Sequence, residues 1–200
     1  MSLAIAYTSV LTRHLETPSR AVREIKVSVG LTKTGEIALG YILRGDLDRV
    51  LIPPSRSPCR RDGLWQHTCF ESFIGVENSP AYFEFNFSPS AEWAAYAFRT
   101  YRDGGPIEND DIDPQIVVRR EAETLELSAV IRLDRLPAIQ SDATIRLGLS
   151  VVVEELDGSH SYWALRHPPG KPDFHHSDAF ALEIQRPVDG VGAIAYTGKS

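Results

Sequence analysis

Apolar and polar residues alternate along much of this chain with a period of two, the repeat of a half-buried strand. No stretch carries the broad apolar stripe of an amphipathic helix. Residues 25–33 alternate, Thr34-Gly35-Glu36 forms a turn, and Ile37, Leu39, Tyr41 and Leu43 take every second position, which predicts a β-hairpin. A loop rich in Pro, Arg and Ser, residues 53–63, leads to the apolar run 64–75, and Glu77-Asn78-Ser79-Pro80 turns the chain back. In the returning strand, 81–88, Phe83, Phe85 and Phe87 are expected to face the core, and Tyr82, Glu84 and Asn86 the opposite side. Further strands are predicted over 92–100, 115–120, 124–133 and 144–154, with Leu125, Leu127, Ala129, Ile131 and Leu133 on one face. Asp157-Gly158 signals a hairpin that sets 159–166 antiparallel to the strand before it. The Pro-rich stretch 167–178 reads as irregular and 180–184 as a closing strand, while the acidic segment 103–114 reads as a loop.

About ten strands with short connections and no helices between them predict an all-β fold, an antiparallel two-sheet β-sandwich of jelly-roll-like form. No break in composition divides the 200 residues, so one domain is expected over 1–200, with its core at about 22–186 and a loosely ordered tail at 187–200. A hydrophobic share of 42% and a charged share of 24% are enough to bury a full core.

A formal charge of −6 argues against a nucleic-acid partner, and the densest basic group, Arg56, Arg60 and Arg61, is too short to track a phosphate backbone. Cys59 and Cys69 make neither a disulfide framework nor a zinc ribbon and read as reduced thiols. The first residues lack a basic region ahead of an apolar stretch, and no long apolar run follows, so neither a signal peptide nor a membrane span is expected. A cytoplasmic location follows as an expectation.

Three stretches together carry a family resemblance: Leu64-Trp65 through Phe70-Glu71-Ser72-Phe73-Ile74; Tyr82-Phe83-Glu84-Phe85-Asn86-Phe87-Ser88-Pro89-Ser90; and Tyr162-Trp163-Ala164-Leu165 followed by Lys171-Pro172-Asp173-Phe174-His175 and Phe180. From about Trp65 to Ile184 the chain resembles the DOMON-like superfamily, which is related to family 9 carbohydrate-binding modules. The resemblance implies a β-sandwich whose relatives bind sugars or haem, and fold alone does not choose between them. In the sugar-binding relatives, aromatic rings stack on apolar sugar faces while carboxylates and amides hydrogen-bond hydroxyls. Trp65, Glu71, Asn86, Arg99, Trp163, Lys171, Asp173 and His175 are the candidate ligand-binding residues on that basis. Trp163 stands out beside the long Pro-rich loop, although core packing is the ordinary role of any tryptophan. Glu71 is flanked by Phe70, Phe73 and Ile74 with no Lys or Arg beside it, and a carboxyl in apolar surroundings needs a partner or a function.

The leading expectation is therefore a non-catalytic domain that binds a small molecule, a saccharide, with no cofactor, no metal and no catalytic residues. Three alternatives stay open: a haem-binding electron-transfer domain, a glycan-processing enzyme using Glu71, and an interaction module that recruits a protein through a sheet edge. Haem would need two of His67, His160, His167, His175 and His176, because Met1 is the only methionine and no Cys-x-x-Cys-His motif exists. Asp173-Phe174-His175-His176 with His167 holds metal-competent groups, but adjacent residues on extended chain point in opposite directions. Glu108, Asp110, Asp111 and Asp113 lack the spacing of an EF-hand. Gly192 to Ser200 has one residue too many for a phosphate-binding loop, and no Gly-x-Ser-x-Gly elbow occurs.

Overall fold

A computed structural model describes residues 3–32, 35–109, 111–136, 139, 143–188 and 191–196, with side chains for all of these except 3–6, 186–188 and 191–196. Lys33, Thr34, Asp110 and residues 197–200, named above, lie outside the described residues. The alternating segments form strands in the order β1 (Leu3–Val10), β2 (Thr12–Arg13), β3 (Val22–Thr32), β4 (Glu36–Gly45), β5 (Cys69–Val76), β6 (Tyr82–Phe87) and β7 (Trp93–Thr100). There follow β8 (Asp103–Pro106), β9 (Gln115–Arg120), β10 (Thr124–Arg132), β11 (Ile145–Glu154), β12 (His160–Ala164), β13 (Leu182–Val188) and β14 (Val191–Tyr196). A five-stranded sheet runs β1-β3-β4-β10-β9, and a nine-stranded sheet runs β14-β13-β11-β5-β6-β7-β8 with β12 beside β11 and β2 beside β12. Every pairing within the two sheets is antiparallel, and the fold is an all-β sandwich.

The core lies between the sheets. From the five-stranded side, Ile25, Val27, Val29 and Leu31 of β3, Ile37, Leu39, Tyr41 and Leu43 of β4, and Leu125, Leu127, Ala129 and Ile131 of β10 point inward. They meet Phe70, Phe85, Phe87, Leu149, Val151 and Trp163 from the nine-stranded side. Tyr41 is the one large polar-tipped side chain among them, and its hydroxyl crosses the sandwich to donate to the backbone carbonyl of Glu71 at 2.8 Å. That bond satisfies a buried phenol whose pKa burial, and then the Glu71 carboxyl, push up, so it stays a donor.

Both predicted hairpins form. β3 and β4 pair from Leu31↔Ile37 outward, and β11 and β12 pair from Glu154↔His160 across the Asp157-Gly158 turn, where Gly158 takes φ 83. Three elements differ from expectation. β1 and β2 precede the expected core start at residue 22, and β1 is an edge strand, where polar residues such as Thr8 and Ser9 are ordinary. β8 forms inside the expected 103–114 loop, because Gly104 lets its backbone approach β7 so closely that a Cβ there would meet the Ala97 carbonyl oxygen at 2.0 Å. Residues 187, 188 and 191–196, within the expected tail, belong to β13 and β14. There β13 continues through Pro187 and pairs with β14, and Pro187 is tolerated because the register shifts between Gln185 and Val188.

The segment before β3 is held by a buried carboxylate. Glu155 Oε1 accepts hydrogen bonds from Ser19 Oγ at 2.8 Å, the Arg20 amide at 2.8 Å and the Ala21 amide at 3.1 Å. Replacing Glu155 by Ala leaves at least the buried Ala21 amide without an acceptor, so a loss of about 2 kcal/mol in urea unfolding is expected. A loss below about 0.5 kcal/mol would show that water replaces the carboxylate.

Candidate binding pocket on the outer face

Because strand side chains alternate, the central strands of the nine-stranded sheet put a second set of residues on the face away from the sandwich core. On β6, Phe83, Phe85 and Phe87 join the inter-sheet core and Tyr82, Glu84 and Asn86 take the other face, as the alternation predicts. Exposure alone does not separate the two sets, since Phe83 is 8% exposed while Tyr82 and Glu84 are each 5% exposed. The outer face is covered too: Phe174, within the irregular stretch, and Phe180, just after it, pack with Phe73, Tyr82, Val152 and Ala164 into a second apolar cluster.

Beside this cluster the outer face opens into a cavity of about 570 Å³, within the size range of small-molecule sites. Glu71 and Phe73 of β5, Glu84 of β6, Tyr96 and Phe98 of β7 and Val152 of β11 make the floor. Trp65 and Gln66, in the turn before β5, His160 and Tyr162 of β12, Arg102 in the turn between β7 and β8, and Pro172, Phe174 and His175 of the irregular stretch complete the lining. Trp65 is 52% exposed, a large ring offered to solvent at the mouth. Arg102 sits in the left-handed region at φ 56, a conformation uncommon for a side chain of its size.

The floor is acidic and short of donors. Glu71 and Asn86 pair directly across β5 and β6, and Glu84 lies two residues from Asn86 on the same face. Asn86 Nδ2 donates to Glu84 Oε1 at 2.8 Å, and Ser150 Oγ donates to Glu71 Oε2 at 3.3 Å. Burial, reinforced by the neighbouring Glu84 carboxyl, raises the Glu71 pKa well above the carboxylate range, and Ser150 and Arg102 only partly oppose it. Burial likewise lifts Glu84 to about 7, against the Asn86 hydrogen bond and the Arg102 charge.

One wall is ordered by a hydrogen-bond chain. The Arg102 amide donates to Tyr82 Oη at 3.0 Å, which leaves the phenol proton for His175 Nδ1 at 2.8 Å. His175 Nε2 faces Glu84 Oε2 across 3.6 Å. Burial and then the Arg102 charge lower His175 to about 4, so the ring is neutral at physiological pH and this approach is no ion pair. Arg102 itself is occupied, donating to Asp173 Oδ1 at 2.8 Å, while Tyr101 donates to Asp173 Oδ2 at 2.7 Å.

The eight residues proposed from the sequence part company here. Trp65, Glu71 and His175 line the cavity. Asn86 lies beneath it as the partner of Glu84, and Asp173 acts at one remove by holding Arg102 and accepting the His175 amide at 3.2 Å. Trp163 is corrected: it is 5% exposed, packs in the inter-sheet core opposite Val151, and donates through Nε1 to Ser161 Oγ at 3.0 Å. Its neighbour Tyr162 is the β12 ring that faces the cavity. Arg99 and Lys171 are exposed outside the lining, Arg99 paired with Asp103 at 3.1 Å. Glu84, Tyr96, Phe98 and Tyr162 were missed as site residues; parity on strands whose inner face is known would have found them. The conformation of Arg102 has no such signal. Among the described residues no three of His, Cys, Asp or Glu converge as a metal site.

No protein-family model matches the chain, and no curated protein matches it in sequence. Its fold is shared with solved structures. A protein of Bacteroides uniformis ATCC 8492 with a provisional carbohydrate-binding designation superposes with a TM-score of 0.60 at 14% identity, over 86% of this chain and 83% of that one. A family 9 carbohydrate-binding module from Caldicellulosiruptor kristjanssonii in complex with glucose superposes with a TM-score of 0.50 at 10% identity, over 90% of this chain and 87% of that one. At these identities the likeness is one of fold.

Proposed function

We propose that the protein is a non-catalytic small-ligand-binding module of the DOMON-like kind, and that its ligand is a saccharide held in the outer-face cavity. The observation that carries this reading is the cavity itself: the aromatic side chains of Trp65, Tyr96 and Tyr162 line it together with the buried carboxyls of Glu71 and Glu84, the pairing of apolar and hydrogen-bonding groups that sugar recognition requires. The sandwich it shares with carbohydrate-binding proteins supports the same reading. Two carboxyls on adjacent strands also suggest a glycosidase, in which one would act protonated and the other ionised. Two free thiols, Cys59 and Cys69, support a cytoplasmic place of action.

Titration calorimetry with cellotriose tests the reading. Saturable binding is expected, with Trp65→Ala weakening it about tenfold, the worth of one stacking contact, and leaving the unfolding midpoint unchanged because the ring is largely solvated. Binding that is indifferent to Trp65→Ala would place the sugar elsewhere, and failure of cellotriose and a broad glycan set to bind would overturn the reading.

A further inference from the structure

The donors and acceptors of the floor do not balance. Glu71 Oε1 and Glu84 Oε2 accept no hydrogen bond from any described residue, and Asn86 Oδ1 is shut off from solvent with no partner. Two carboxyl groups and a buried amide oxygen thus share one sheet face with no Lys or Arg of the described residues bonded to them. The groups packed against them from other elements supply little: Ser150 of β11 already donates to Glu71, and the Tyr82 proton goes to His175. His175 Nε2 stops 3.6 Å from Glu84, and Arg102, the one cation of the lining that is always charged, is turned to Asp173. Cys69 and Tyr96 share the outer face, and burial raises both; Tyr96 is bound to Asp62, and His160 faces the backbone carbonyls of Gly158 and Gln66.

Resting on the saccharide reading above, we infer that the ligand carries a primary ammonium group, as in an amino sugar, seated between Glu71 and Glu84 and faced by the surrounding rings. An ammonium brings a positive charge as well as three donors to two carboxyls that no described Lys or Arg pairs, whereas a neutral hydroxyl brings no charge. The aromatic side chains of the lining add cation–π attraction where a ring face meets the ammonium. In the empty pocket the two carboxyls hold protons that a cation displaces, so binding releases protons to solvent.

Three β-1,4 trisaccharides that differ only in the substituent at C2, those of glucosamine, N-acetylglucosamine and glucose, decide the matter, with benzylamine as a non-sugar cation. Calorimetry is run at about pH 6.5, where sugar amines keep their proton, in two buffers of different ionisation enthalpy. The glucosamine trimer is expected to bind about tenfold tighter than either neutral trimer and to release protons. Glu84→Gln is expected to remove that advantage, so that the glucosamine trimer binds the variant no tighter than cellotriose does. A glucosamine trimer no tighter than cellotriose overturns the inference and leaves the saccharide reading standing. If no sugar binds but benzylamine does, and Glu84→Gln weakens it, the cation site stands and the saccharide reading falls. If none of the four binds, both fall.

Discussion

Replacing Glu84 by Gln is expected to stabilise the protein, by little at about pH 4 and by about 3 kcal/mol above about pH 7. The carboxyl titrates near 4.5 when unconstrained and at about 7 in the fold, so between those values the unfolded chain ionises while the folded one keeps its proton. Stability from this group is complete below the lower value and lost as pH rises through the upper one. Gln keeps the hydrogen bond from Asn86 but has no charge to desolvate, and it also relieves the repulsion on Glu71. His175 works in the opposite direction: its ring is lowered from 6.5 to about 4, so its contribution grows as pH rises through that window. Glu71, raised by the same burial, adds to the Glu84 loss, so the native protein is expected to lose stability between about pH 4.5 and 6.5, whereas in the variant Glu71 and His175 oppose each other and the loss should be much smaller. Urea unfolding of both proteins across this range measures the difference. Two parallel curves would mean that Glu84 is not held protonated by its surroundings.

The second large effect belongs to Trp163. Truncation to Ala empties a space in the inter-sheet core and orphans the Ser161 partner, at an expected cost of about 3–5 kcal/mol. Tyr162→Ala, one residue away, removes a cavity wall that touches the edge cluster near Phe174, and should cost about 1–2 kcal/mol while weakening any ligand. Chemical unfolding and a ligand titration on the pair of variants give a double readout. If Trp163→Ala stays within about 1 kcal/mol of the parent and loses binding instead, the assignment of faces on β12 is wrong.

That reversal shows how far the sequence could be read. Period-two patterns revealed β3, β4, β6 and β10 because one face of each is apolar, and parity then placed Phe85 inward and Glu84 outward on β6. Glu71 was legible because a carboxyl among Phe70, Phe73 and Ile74 is an electrostatic anomaly wherever it lies. On β12 every residue from Tyr162 to Ala164 is plausible on either face, and only the pairing of Trp163 with Val151 settles it. Arg99 and Lys171 were drawn in by chemistry without geometry, and Arg102 was invisible because its place depends on β8, a strand made mostly of glycine and backbone bonds. Asp173 was named for contact and instead works as an anchor.

The cavity draws on two kinds of architecture, with unequal freedom to change through descent. Glu71, Glu84, Tyr96 and Phe98 alternate with core residues on β5, β6 and β7, so an insertion of one residue there would exchange floor for core and be eliminated with the fold. Trp65, Pro172, Phe174 and His175 come from turns and an irregular stretch, where length and identity can drift at little cost to the sandwich. Rim residues can therefore be exchanged while the sandwich stays intact, whereas a change of parity at the acidic floor cannot.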